Sequence, residues 1–372
     1  MGLDFHTYRE IRQQPEVWKK TCDIILSRKG EIKAFLHKYL DAGYEVVYTG
    51  AGTSAYIGDA LETALAGTCL RGAKAVATTD ILVSPWFWFN ESSKVLLVSF
   101  ARSGNSPESV GTVKAIEQTA GKVAHIFITC NAEGQLAKMK GDNILTILLP
   151  PETDDKSLAM TSSYSSMYIA CSLIANIDNI ELQRGLIDTL SDKVRDMMDK
   201  YEDSIRAVAG KDFKRAVFLG SGTLKGVAEE SRLKLQELTD GAVMCAYDSF
   251  MGFRHGPKAL VNPQALLVYL LSPKAEIRQY ELDLIRQIKA SRGAMAYIVV
   301  CQKAPELDGS CWDLCVETLL PDGFPAFYGG MAYVIVGQML GLFKSIQMGL
   351  SPDSPSVSGN ISRVVEGVRL YL

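Results

Sequence analysis

Two groups of residues in this chain have the types and spacing to do chemistry. The first is Ser99-Phe100-Ala101-Arg102-Ser103-Gly104-Asn105-Ser106-Pro107-Glu108-Ser109, which follows the apolar run Val95-Leu96-Leu97-Val98. A strand end, a hydroxyl-rich turn with a glycine, and a proline suited to a helix's first turn make a cradle for an anion. Backbone N–H groups and the positive end of the helix dipole converge there, and Ser103 and Ser106 add hydroxyl donors. The same residues also suit a plain helix start capped by Ser106. Gly50-Ala51-Gly52-Thr53-Ser54 ends an earlier apolar run and would supply a second wall. The third glycine of a dinucleotide fingerprint is absent there, since Gly58 comes too late.

The second group is Glu230, Lys234 and Glu237, which share one face of a helix predicted to begin after Thr223. That spacing fits a solvated face with an ion pair. It also fits a carboxylate base that moves a proton between adjacent carbons, with a lysine holding substrate oxygens. Close by, Phe250-Met251-Gly252-Phe253-Arg254-His255-Gly256-Pro257-Lys258 places a histidine on a loop. A loop histidine can act as acid and base near neutral pH, for instance in opening a sugar ring.

The elements that must position these groups occur twice. Val46-Val47-Tyr48-Thr49-Gly50-Ala51-Gly52-Thr53 is echoed by Ala216-Val217-Phe218-Leu219-Gly220-Ser221-Gly222-Thr223, about 170 residues on. Val95–Val98 is echoed by Ala265–Val268, Ile126–Cys130 by Tyr297–Cys301, and Leu148-Leu149-Pro150 by Leu319-Leu320-Pro321, all near the same offset. The runs are apolar on both faces and alternate with helical patterns, which predicts parallel α/β layers with helices on both sides. A helical lead-in is expected over 1–40, with residues 8–40 reading as helix. One α/β domain is expected over 41–195 and another, with a C-terminal tail, over 211–372. Residues 181–206 carry dense charge at helical spacing and read as the bridge. The second copy's counterpart of the anion turn, Leu271-Ser272-Pro273-Lys274, lacks the glycine and the hydroxyl cluster.

The bulk properties narrow the function. The 372 residues are 47% hydrophobic and 22% charged, with a formal net charge of −3 and a pI near 5.9. That excludes the broad basic face that nucleic acid requires, so an anionic ligand must be held by a local site. The apolar stretch around 332–343 is shorter than the ~20 residues that span a bilayer, and the polar N-terminus shows no signal peptide. A cytoplasmic protein without membrane attachment is expected. The four histidines are scattered and no Cys-x-x-Cys occurs, so no metal site is expected, and the eight cysteines read as reduced thiols.

Gly50-Ala51-Gly52-Thr53-Ser54, Ser103-Gly104-Asn105-Ser106, the helix from Glu230 to Glu237 and Arg254-His255-Gly256-Pro257, with the lead-in Glu10-Ile11-Arg12-Gln13-Gln14-Pro15, together resemble the sugar isomerase (SIS) superfamily as a tandem pair. The resemblance implies an α/β fold of two SIS domains, each a parallel five-stranded sheet between helix layers. Resemblance to the isomerase half of glucosamine-6-phosphate synthase implies that Ser54, Arg102, Ser103 and Ser106 bind phosphate. It implies sugar contacts at Gly52, Thr53, Thr161 and Ser162, the last two in the turn Leu158–Ser163. It further implies Glu237 as the base between C1 and C2, Lys234 as its companion, and His255 as the ring-opening group, reaching the site from a neighbouring subunit of a homodimer. Neither metal nor organic cofactor is implied.

The chain departs from the synthase. It begins Met1-Gly2-Leu3 without a cysteine nucleophile, which argues against glutamine hydrolysis, and no lysine follows Lys344. Its tail, Ser351–Asn360 with Arg363-Val364-Val365, is instead similar to the tagatose-6-phosphate ketose/aldose isomerase group, whose members are also described as galactosamine-6-phosphate deaminases. The expectation is therefore an aldose–ketose isomerase of a hexose or amino-hexose 6-phosphate. Galactosamine 6-phosphate, giving tagatose 6-phosphate and ammonia, is the favoured substrate. A fructosamine-6-phosphate deglycase and a non-catalytic sugar-phosphate sensor are the alternatives.

Overall fold

Strands that are apolar on both faces must be covered on both faces, and the chain meets this requirement twice. The computed structural model describes residues 3–291, 293–305, 309–365 and 367–371. It forms two units. The first comprises Glu16–Asp155, Met160–Asp188 and Ser362–Leu372, and the second comprises Met1–Pro15, Lys156–Ala159 and Thr189–Ile361.

In chain order, helices α1 (His6–Ser27) and α2 (Lys29–Leu40) lead into β1 (Glu45–Thr49), α3 (Thr53–Ala64), β2 (Lys74–Ala75), α4 (Thr78–Val83), α5 (Pro85–Trp88) and β3 (Lys94–Ala101). Then come α6 (Pro107–Thr119), β4 (Lys122–Thr129), α7 (Gln135–Lys138), β5 (Ile144–Leu148) and α8 (Ser162–Ala175). The five strands are all parallel, in the order β2-β1-β3-β4-β5. The expected single helical stretch over 8–40 is two helices, broken at Arg28.

Helix α9 (Ile180–Ala209) precedes the second sheet. That half runs β6 (Arg215–Gly220), α10 (Thr223–Leu238), β7 (Met244–Asp248), α11 (Phe250–Phe253), β8 (Ala265–Leu270), α12 (Ala275–Lys289), β9 (Ala296–Cys301), β10 (Leu314–Glu317) and α13 (Ala326–Gln347). Its order, β10-β9-β8-β6-β7, is the first sheet's order read from the other edge, again all parallel. The repeat is thus realised strand for strand. The two glycine turns also share a backbone: Gly52 has φ 55° and ψ −129°, Gly222 φ 58° and ψ −127°, in the region where a side chain is strained.

The segment around 332–343 lies inside α13, whose 22 residues are long and apolar enough to cross a bilayer; this corrects the shorter stretch expected from sequence. The most apolar window of α13 is 89% buried within the protein. It is a core helix, apolar all round because it is enclosed all round.

The lead-in motif has a local logic. Pro15, inside α1, has no N–H to donate to the Ile11 carbonyl, and the Gln14 side-chain amide donates to it instead at 3.0 Å. The same amide reaches Gln338 Oε1 at 2.7 Å. Glu10 accepts from the Lys156 N–H at 2.5 Å and from the Ser157 hydroxyl. The start of α1 is capped by Asp353, which accepts from the N–H groups of His6 (2.9 Å) and Thr7 (2.8 Å) and from the Thr7 hydroxyl (2.8 Å). Asp353→Ala strands these donors and should lower stability by about 1–2 kcal/mol, read as a lower urea midpoint at an unchanged m-value.

Candidate functional site

In the first unit the carboxyl ends of β1 and β3 open onto a cavity of about 130 Å³. Ser54, Arg102, Ser103 and Ser106 all line it, so the four residues assigned to phosphate from the resemblance come together. The volume is below the ~300–1,000 Å³ that holds a whole small ligand and suits a phosphate group with the rest of its molecule outside. Two larger clefts lie elsewhere in this unit, of about 360 Å³ beside His37 and Arg71 and about 400 Å³ against Val368–Tyr371. Neither is lined by residues of the β1 and β3 ends, beyond which open α/β sheets bind ligands.

The cradle is held by its own turn. Gly104 takes φ 63°, and a Cβ there would meet the Thr129 hydroxyl at 3.2 Å. The Gly104 carbonyl accepts from the Leu136 N–H at 3.1 Å and Asn105 Oδ1 from the Gln135 N–H at 3.0 Å, which ties the turn to α7. Ser106 does cap α6: its Oγ accepts from the Ser109 N–H at 3.3 Å and donates to Ser109 Oγ at 2.7 Å. It still faces the cavity, so capping and lining coexist.

Arg102 is only 7% exposed. Burial lowers its pKa from the ordinary arginine value, with Asp155 acting in the opposite sense. One of its amino groups donates to the Arg363 carbonyl at 2.5 Å. Arg363, Val364 and Val365 form the remaining wall, with Glu108, Ser109 and Met160 also lining the cavity. Arg363 donates in turn to the Asp155 carbonyl at 2.8 Å and to Asp154 at 2.7 Å. The tail motif was visible in the sequence, but nothing there placed it some 260 residues back at the cradle.

Gly52, Thr53, Thr161 and Ser162 are not among the residues lining that cavity. Thr53 is buried at the start of α3. Thr161 and Ser162 are fully buried at the start of α8, where Asp155 accepts from the N–H groups of Thr161 (2.8 Å), Ser162 (3.2 Å) and Ser163 (2.9 Å). Burial raises the Asp155 pKa, opposed chiefly by the Ser163 hydroxyl and N–H. An acid a few residues ahead of a hydroxyl-rich helix start is the sequence signal for this capping.

In the second unit, Glu230, Lys234 and Glu237 are not a solvated face. Lys234 and Glu230 have fully buried side chains 3.3 Å apart, and Lys234 reaches Glu237 at 2.8 Å. The Glu237 side chain stays 22% exposed. Burial alone would lower the Lys234 pKa; the two carboxylates more than offset it, so the pKa lies above its ordinary value. Helix α13 makes this burial possible through glycines. A Cβ on Gly337 would sit 2.5 Å from Ser231 Cβ, and one on Gly341 3.0 Å from the Lys234 carbonyl oxygen.

His255 lies on an exposed loop between α11 and Gly256, whose φ is 122°. Its N–H donates to the Gly252 carbonyl at 2.9 Å, and Ser249 caps α11 at the Gly252 N–H. Among the described residues no hydrogen bond joins its ring to Glu237.

Two parallel sheets of one topology, the first with a hydroxyl-lined cavity beyond its strand ends, define a class of phosphosugar-handling α/β protein, and the SIS domain pattern matches residues 39–177. D-galactosamine-6-phosphate deaminase AgaS of Escherichia coli is 36% identical over 371 residues, covering 98% of this chain and 95% of its own. Its namesake in Shewanella sp. (strain ANA-3) is 36% identical over 373 residues, covering 99% and 92%. The solved tagatose-6-phosphate ketose/aldose isomerase of Escherichia coli superposes with a TM-score of 0.89 at 34% identity, covering 99% of this chain and 97% of that one. The chain belongs to the SIS family, matching the AgaS deaminases along nearly all of this sequence.

Lys234→Met should destabilise the protein by about 3–5 kcal/mol by leaving Glu230 buried without its cation, whereas Glu230→Leu with Lys234→Met should cost far less. Urea unfolding of the two variants checks this. Because the folded pKa of Lys234 is raised, its contribution is complete below the unfolded lysine value and is lost only as pH rises through the folded one. Stability should therefore not fall on this account between pH 6 and 9.

Proposed function

We propose that the protein converts galactosamine 6-phosphate into tagatose 6-phosphate and ammonia. The observation that carries this reading is the co-location of Ser54, Arg102, Ser103 and Ser106 around one cavity of phosphate size in a chain akin to the AgaS deaminases along nearly its whole length. In the proposed mechanism the phosphate anchors at that cradle through hydroxyls, backbone N–H groups and the Arg102 cation. His255 passes a proton between ring oxygen and anomeric hydroxyl to open the ring. Glu237 takes the C2 proton, the electron pair moves toward the C1 oxygen, and an enolamine forms. Returning the proton to C1 gives the C2 imine, and water adds to that carbon and expels ammonia, leaving the ketose. Lys234 holds Glu237 in place and offsets negative charge as it develops. Gly52, Thr53, Thr161 and Ser162 are retained as sugar contacts in this proposal.

A homodimer with a shared site is part of the reading. His255 sits on an exposed loop, and Val83, Trp86, Phe87 and Trp88 expose 76%, 67%, 80% and 48% of their surfaces within six residues. A patch of that kind usually marks an interface. All eight cysteines are free thiols, which accords with a cytoplasmic location.

Glu237→Gln should remove turnover, by roughly 10²–10⁴-fold or more, while sugar-phosphate binding persists; Arg102→Ala should raise KM much more than it lowers kcat. Both are read by coupled assays for ammonia and for ketose across a panel of hexose and hexosamine 6-phosphates. Ketose without ammonia from a hydroxy sugar would make the enzyme a pure isomerase, and release of an amino acid from a fructosamine 6-phosphate would make it a deglycase. Mixing inactive Glu237→Gln and His255→Asn protomers should restore about a quarter of the activity if sites are shared across a dimer, and none if each chain is self-sufficient.

A further inference from the structure

The second copy's counterpart of the cradle is filled from within. Its two turns, Gly220-Ser221-Gly222 after β6 and Leu271-Ser272-Pro273 after β8, stand where Gly50-Ala51-Gly52 and Ala101-Arg102-Ser103 stand in the first copy. Into the second copy's cradle projects Glu281 of α12. Its Oε2 accepts from the Ser272 N–H at 2.8 Å, and the residue is fully buried. Burial raises the carboxyl's pKa, and the Ser221 hydroxyl and the Ser272 N–H act in the opposite sense.

Helical spacing makes this placement conspicuous. Glu281, Leu284, Ile285 and Ile288 form the buried stripe of α12, so a carboxyl group occupies a position where the core expects an apolar residue. The seventh residue of α6, counted from the helix start, is Val113; the seventh of α12 is Glu281. Burying a carboxylate is costly unless donors receive it. Here one turn's N–H donates to the carboxyl, and the Ser221 hydroxyl of the other turn and the Arg278 cation both favour its charged form.

We propose that the second copy retains an anion site between its two strand-end turns and that the Glu281 carboxylate is its built-in occupant, standing where a phosphate stands in the first copy. The site accepts a small carboxylate once that side chain is removed. Glu281 thereby fixes the β6–α10 turn from which the helix bearing Glu230, Lys234 and Glu237 departs, and it keeps ligand phosphate confined to the first copy. The parallel with the first copy rests on the phosphate reading of that cradle, while the test reads stability and not turnover, so the two can fail separately.

The test is thermal unfolding of the full chain in potassium formate against potassium chloride at equal ionic strength, for the wild type, Glu281→Ala and Glu281→Gln. In chloride both variants should unfold below the wild type. Formate should then raise the Tm of Glu281→Ala by about 2 °C or more beyond its effect on the wild type. Glu281→Gln, whose amide keeps the space filled, should gain no such excess. The proposal is overturned if formate favours Glu281→Ala no more than the wild type, or if Glu281→Gln unfolds at the wild-type temperature. Should Glu281→Ala fail to fold, the isosteric Glu281→Gln comparison still decides whether the site needs an anion.

Discussion

The structure of the second unit turns on one ammonium group held out of water. Lys234 is fully buried and would be intolerable there without Glu230 and Glu237 on the same helix face. Charges so placed are stable only when paired, and pairing alone does not exclude water. The exclusion comes from α13, which lies close enough to α10 that methyl groups at Gly337 or Gly341 would collide with it. The apolar character of α13 is therefore the counterpart of the charge it covers. One carboxylate of the trio, Glu237, remains partly exposed at the edge.

The first unit solves a different electrostatic problem. With a net charge of −3, the protein offers no general attraction to a dianion. Attraction for an anion would have to be local, and the turn after β3 that lines the hydroxyl-rich cavity takes its shape from Gly104 and from two hydrogen bonds to the start of α7. Arg102 supplies the full cation and is itself held by a tail carbonyl. The tail is thus part of the cradle wall and more than a terminus packed on a surface.

Duplication explains why one chain carries both solutions. Two sheets of the same topology give two pairs of strand-end turns. In the first copy the pair frames an open cavity; in the second it closes around Glu281. The same backbone geometry at Gly52 and Gly222 serves a cradle in one half and a helix start beneath a buried ion cluster in the other.

The sequence alone was enough to determine the repeat, the parallel α/β class and the turn that ends β3 and starts α6, because each rests on contacts local in sequence: strand runs apolar on both faces, a glycine at positive φ, a serine capping the next helix. It also singled out Glu230, Lys234 and Glu237 by their helical spacing. Only the tertiary structure decided that this face is buried, since burial depends on α13, about a hundred residues away. The same holds for Arg363 at the cradle, for Asp155 at the start of α8, and for the enclosure of α13 on all sides. Spacing along a chain reports which residues share a face; what covers that face is settled by packing between segments that no local pattern links.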